Sequence, residues 1–113
     1  MAYATATMVK YRCGITDDLV NTEIAAAITT GDTFVDGVLT AEGLTTGGTD
    51  QILKEASANY AAYIMLKSRN PELAESWKVE AQEQMTLYVR YKKYQGVQTR
   101  TRGPPYTKLP DES

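Results

Sequence analysis

With 113 residues, a net charge of −2 and 42% apolar residues, the chain has the length of one domain and enough apolar groups to bury a core without a staple. It has no histidine and one cysteine, Cys13, which excludes a disulfide framework, removes the commonest general base and leaves zinc without a ligand set. No window approaches the roughly 20 apolar residues of a membrane span, and Met1–Met8 lacks the pattern of a signal peptide, so we expect a soluble, intracellular protein with no membrane partner.

Charge is divided along the chain. Six basic residues from Met1 to Tyr88 (Lys10, Arg12, Lys54, Lys67, Arg69, Lys78) stand against twelve acids. From Val89 to Pro110 there are Arg90, Lys92, Lys93, Arg100, Arg102 and Lys108, and no acid. Such a split points to a partner for the basic end that the acidic body does not share.

In residues 1–15, Tyr3, Met8, Val9, Tyr11 and Ile15 show no clean period, and we read an extended or irregular arm in which Cys13 is a small buried or half-buried hydrophobe, with a reactive thiol as the alternative. Thr16 has the character of an N-cap, and Asp17 and Asp18 sit where a helix's positive end favours acids. Leu19, Val20, Ile24, Ala27 and Ile28 continue at helical steps, and Gly31 ends the run. A second short helix starts at Asp32 or Thr33, carries Phe34, Val35, Val38 and Leu39, is interrupted by Gly37 and ends at Gly43. The Gly- and Thr-rich segment 44–49 is a connection; it lacks the Lys-Ser or Lys-Thr that a phosphate cradle would need.

The stretch from Thr49 to Gln95 predicts a long antiparallel helical hairpin. Asp50 caps a helix carrying Ile52, Leu53, Ala56, Tyr60, Tyr63, Ile64 and Lys67 on one side. Pro71 forces Asn70 out of the helical region and sits itself in the first turn of the next helix. That helix presents Leu73, Trp77, Ala81, Met85, Tyr88 and Tyr91, and from Glu72 to Tyr94 it measures about 35 Å at about 1.5 Å per residue. Beyond Gln95, Gly96, Gly103, Pro104, Pro105 and Pro110 predict an irregular basic tail, 96–113, in which 97–102 alternates as an edge strand would. The expected fold is all-α: about four helices built on the hairpin, a domain over 1–95 and a tail over 96–113.

Candidate chemistry is sparse. Glu72, Glu75, Glu80 and Glu83 lie off the apolar stripe and read as a solvated face, while Asp17, Asp18, Asp32 and Asp36 lack the loop spacing of a hard-metal site and read as helix N-terminal acids. No cofactor is expected, and with no nucleophile motif the chain does not read as an enzyme. Tyr60, Tyr63, Tyr88, Tyr91 and Tyr94 form a seam that is core by default, with Tyr88, Tyr91, Tyr94, Arg90 and Lys93 as the alternative of a subunit interface. The basic residues interleaved with Tyr91, Tyr94 and Tyr106 suit a nucleic-acid or acidic-protein partner, although a helix C-terminus attracts some of them.

Residues 10–96 resemble the small head-to-tail connector proteins, also called adaptor or head-completion proteins, of tailed bacteriophages and related archaeal viruses. The likeness rests on Ile24-Ala25-Ala26-Ala27-Ile28, Phe34-Val35-Asp36-Gly37-Val38-Leu39, and 53–66 with Ala58-Asn59-Tyr60-Ala61-Ala62-Tyr63. The resemblance implies a non-catalytic virion protein of the neck, in the host cytoplasm during assembly. It would form a homo-oligomeric, commonly dodecameric, ring between the portal protein and a tail or stopper protein, with double-stranded DNA passing non-specifically through its centre. Val97, Arg100, Arg102, Tyr106, Lys108 and Leu109 would then dock on the portal or a neighbouring subunit. The rival expectation is a small helical DNA-binding regulator, for which Thr33, Phe34 and Asp36 are poor base-reading residues.

Overall fold

The computed structural model describes the backbone of residues 3–15 and 21–101, and side chains as far as Gln95. Four α-helices follow in order: α1 (Ala6–Cys13), α2 (Asn21–Ala41), α3 (Gln51–Leu66) and α4 (Pro71–Thr101). There is no strand among the described residues, and the fold is an all-α bundle. Its framework is the expected hairpin of α3 and α4, turned as Pro71 predicts. Asn70 Oδ1 accepts the N–H of Leu73 at 3.3 Å, and Pro71 opens α4, where its missing N–H has no bond to lose.

α3 is the centre of the bundle. Between Ala56 and Ala62 every residue except the half-buried Tyr60 is buried, because α1, α2 and α4 all pack on this one helix. Small side chains make that possible: Ala56, Ser57, Ala58, Ala61 and Ala62 let three neighbours approach without voids. One core cluster gathers Tyr3, Val35, Leu39, Leu53, Met85 and Tyr88; a second gathers Val9, Ile24, Ala27, Ala58, Ala61 and Met65, with Cys13 and Ile15 half-buried against it.

Four expectations are corrected. Residues 1–15 are not wholly an extended arm, since Ala6–Cys13 is helical. Thr5 caps it by accepting the N–H of Met8, Gly14 closes it in the left-handed conformation (φ 70°), and Val9 is fully buried against its neighbours. Tertiary packing, rather than any strong period, holds this short helix.

Nor do two helices meet at Gly31–Thr33; α2 runs unbroken through Gly31 and Gly37. Gly31 is a packing residue. A Cβ there would lie 2.4 Å from the Ser57 carbonyl oxygen, so only glycine permits this approach of α2 to α3. Asp32 and Asp36 are accordingly not helix N-terminal acids but lie in mid-helix. Thr16, Asp17, Asp18, Leu19 and Val20 lie outside the described residues. The third correction is rotational: Ala74, Ala81, Met85 and Tyr88 form the inner face of α4, Trp77 is half-buried at its margin, and Leu73 and Tyr91 face outward. Finally, Gly96 does not end the helix. α4 continues to Thr101, so 97–101 is helix where an irregular tail, able to pair as a strand on an offered edge, was expected.

Candidate interaction surface

α4 is about 46 Å long at about 1.5 Å per residue, and α3 about half that, so the second half of α4 outruns its partner. The level at which it does so is marked by Tyr88, whose hydroxyl donates to Asp50 at 2.8 Å beside the first turn of α3. Asp50 precedes α3 as expected, yet makes no capping bond to its backbone; its carboxylate serves the tertiary contact instead. From Val89 onward α4 projects, flanked by the end of α2 through a 2.6 Å ion pair between Lys93 and Glu42.

The outward side of α4 is apolar and aromatic at intervals. Leu87, Tyr91 and Tyr94 are 56%, 55% and 61% exposed, at helical steps of four and three. A shallow groove runs along the same side, lined by Val79, Gln82, Glu83, Thr86, Leu87 and Arg90. Another lies between α2 and α4, with Phe34, Val38, Met85 and Val89 on its floor and Glu42, Arg90 and Lys93 at its rim. Large aromatic side chains left in water beside apolar grooves are the usual mark of a surface that meets a partner.

Of the residues expected at a subunit interface, Tyr91, Tyr94, Arg90 and Lys93 are exposed on this projecting half, while Tyr88 is not available. Tyr88 is buried in the core, and that burial, together with its bond to Asp50, pushes the phenol up to about 12. Val97 and Arg100 fall on the last turns of α4, where side chains are not described; Arg102, Tyr106, Lys108 and Leu109 lie outside the described residues. The rest of the tyrosine seam divides: Tyr60 stacks on Phe34 of α2 with ring centres 4.3 Å apart, and Tyr63 lies beneath Lys67 and Lys78.

Two polar networks went unanticipated. In the first, the Tyr3 hydroxyl donates to Asp36 and accepts the N–H of Gly47 at 2.7 Å, while Asp32 accepts both the Tyr3 N–H at 3.0 Å and the Ser57 hydroxyl at 2.7 Å. Burial and the Asp36 bond raise the Tyr3 phenol above its ordinary value. In the second, Arg12 donates to Asn59, Glu55 and the Met8 carbonyl and lies over the Trp77 ring at 5.7 Å, and Asn59 donates onward to Gln84 at 2.8 Å. The first network ties four segments together and the second three, and each spends its carboxylates on internal donors. The four glutamates of α4 are exposed, and among the described residues no group of three or more His, Cys, Asp or Glu could hold a metal ion. Burial also raises the Cys13 thiol, against the opposing pull of Arg69 and Arg12, which disfavours the reactive thiolate.

A signal for the second network was present in the sequence. Thr5, Met8, Val9, Arg12 and Cys13 share one helical face, and Gly14 follows where a helix of that phase would end. Among the described residues no helix is long and apolar enough to cross a membrane. No protein-family model matches the chain, and no curated protein or solved structure matches it.

Proposed function

We propose that this chain is a structural virion protein: a ring-forming adaptor between the portal vertex of a viral head and its tail, with the DNA channel at its centre. The observation that carries the proposal is the projecting half of α4, where Tyr91 and Tyr94 stand exposed beside Arg90 and Lys93 while the buried Ser57 and Asn59 are hydrogen-bonded within the bundle. A catalytic domain would keep reactive groups in a closed cleft; this one presents an adhesive helix instead. The exposed glutamates of the body suit a channel, because a genome that must slide is better repelled than gripped. In this proposal Val97, Arg100, Arg102, Tyr106, Lys108 and Leu109 dock on the portal or a neighbouring subunit. The tail or stopper protein attaches opposite, and the assembled ring sits in the virion neck after passing through the host cytoplasm. The regulator reading draws less support: Thr33, Phe34 and Asp36 lie in the middle of α2 and not at the start of a short helix.

The test is capture by DNA-filled heads bearing the portal encoded in the same genome, followed by electron microscopy of the vertex. The full chain should add a ring of density at the portal, and a chain lacking 96–113 should stay folded by circular dichroism but fail to attach. Heads that never acquire the protein would overturn the proposal, as would sequence-selective, nanomolar binding to free duplex at physiological salt.

A further inference from the structure

The outward face of α4 has a pattern that extends well beyond the Arg90 and Tyr94 on which the adaptor reading draws. Leu73, Ser76, Glu80, Glu83, Leu87, Arg90 and Tyr94 recur at alternating steps of three and four, so they lie along one seam of α4, with apolar groups at Leu73, Leu87 and Tyr94. All seven are exposed, and Leu87 and Arg90 line the shallow groove on this side. The seam is also electrically polar. Its first half carries Glu80 and Glu83, and its second carries Arg90. Lys78 is drawn aside over Tyr63, Lys92 over Tyr88 and Lys93 to Glu42, so none of them dilutes the polarity of the seam.

From this we infer that the free chain associates with a second copy of itself, the two α4 helices packing antiparallel about a two-fold axis near the level of Met85. A parallel pair would set Glu80 and Glu83 against their own copies. The antiparallel pair sets Glu80 opposite Arg90 twice, once on each side of the axis and about 15 Å from its copy along the helix. In the same register Glu83 faces Leu87 and Ser76 faces Tyr94, so Leu87 and Tyr94 each exchange water for a neighbour. The same patch serves both subunits, as two-fold association requires. The contact is one helix wide, which places it among small, weak and salt-sensitive interfaces. Such a pair covers Leu87 and Tyr94 in the chain away from any ring, and it stands or falls independently of the adaptor proposal.

Sedimentation equilibrium on the full chain at about 100 μM and low salt tests it, in the range where small interfaces form. The expected mass is twice the 12.5 kDa of the chain, falling toward the monomer as salt is raised. E80R sets two cations opposite each other and R90E two anions, and each should weaken the pair by about tenfold or more. E80R/R90E in one chain restores opposite charges across the axis and should restore the dimer. Both positions are exposed, so circular dichroism should show all three variants folded. A monomer under these conditions, a ring-sized mass, single variants as dimeric as the parent, or a double variant that fails to recover would each overturn the inference.

Discussion

The approach of α2 to α3 can be tested with one substitution made twice. Gly31 and Gly37 both lie in the interior of α2, where glycine costs roughly 1 kcal/mol relative to alanine in helix propensity. At Gly37 a Cβ would meet nothing within 4 Å, so Gly37→Ala should stabilise the protein by about 0.5–1 kcal/mol. At Gly31 the same methyl group would stand 2.4 Å from the Ser57 carbonyl oxygen and 3.0 Å from its hydroxyl oxygen. The obstacle is backbone, which cannot rotate aside. α2 must retreat by several tenths of an ångström along a contact that also holds Val35 and Leu39 against Leu53, at an overpacking cost of about 1–3 kcal/mol. Retreat also stretches the 2.7 Å bond from Ser57 to Asp32, worth about 1 kcal/mol. After subtracting the propensity gain, Gly31→Ala should destabilise by about 1–3 kcal/mol. Urea unfolding followed by circular dichroism compares the two directly, with midpoints moving in opposite directions at unchanged slope. A Gly31→Ala protein as stable as its Gly37→Ala sibling would refute the close approach and with it the packing of α2 on α3.

Three further outcomes follow from the polar contacts. Tyr88 is held protonated with its phenol pushed up to about 12, so the stability it supplies is complete below about pH 10, the unfolded value, and is lost as pH rises through 12. Tyr88→Phe should cost about 1 kcal/mol at neutral pH and make alkaline unfolding, followed by circular dichroism, less steep. Arg12→Met should cost about 1–3 kcal/mol in thermal or urea unfolding, because the buried Asn59 loses the donor to its carbonyl oxygen, and Arg12→Lys should recover only part since an ammonium cannot fork between Asn59 and Glu55. Lys93→Ala, by contrast, should change stability by less than about 0.5 kcal/mol in the same assay, both members of its ion pair being exposed.

The hairpin was legible because its signals are local: Asn70-Pro71 fixes the turn from neighbouring residues alone, and the alanines and tyrosines of α3 and α4 repeat at helical spacing over several turns. Gly31 misled because its meaning is not local. The propensity penalty that suggests a helix end is outweighed by a contact with Ser57, 26 positions away, which no period in α2 announces. Asp32 and Asp36 misled for the same reason, since their donors Tyr3 and Ser57 come from other segments. The phase of α4 was off by part of a turn: its long apolar residues drew the eye to Leu73 and Tyr91, whereas crowding against α3 favours the small Ala74 and Ala81. Charge and aromatic content singled out Arg90, Tyr91, Lys93 and Tyr94, which are exposed, but Tyr88 shares their spacing and is buried, and only the position of Asp50 distinguishes it.

The enclosure of α3 by the other three helices has a consequence for how the molecule breathes. Amide protons in the stretch from Ala56 to Ala62 can reach water only when α1, α2 and α4 have all left, so their exchange tracks complete unfolding and their rates report the full stability of the domain. The far end of α4 has no such escort. Its amides open by fraying from the terminus, one turn at a time, without disturbing the rest. A single exchange experiment on this one chain would therefore span nearly the whole range of opening energies, with α3 as its fixed upper mark.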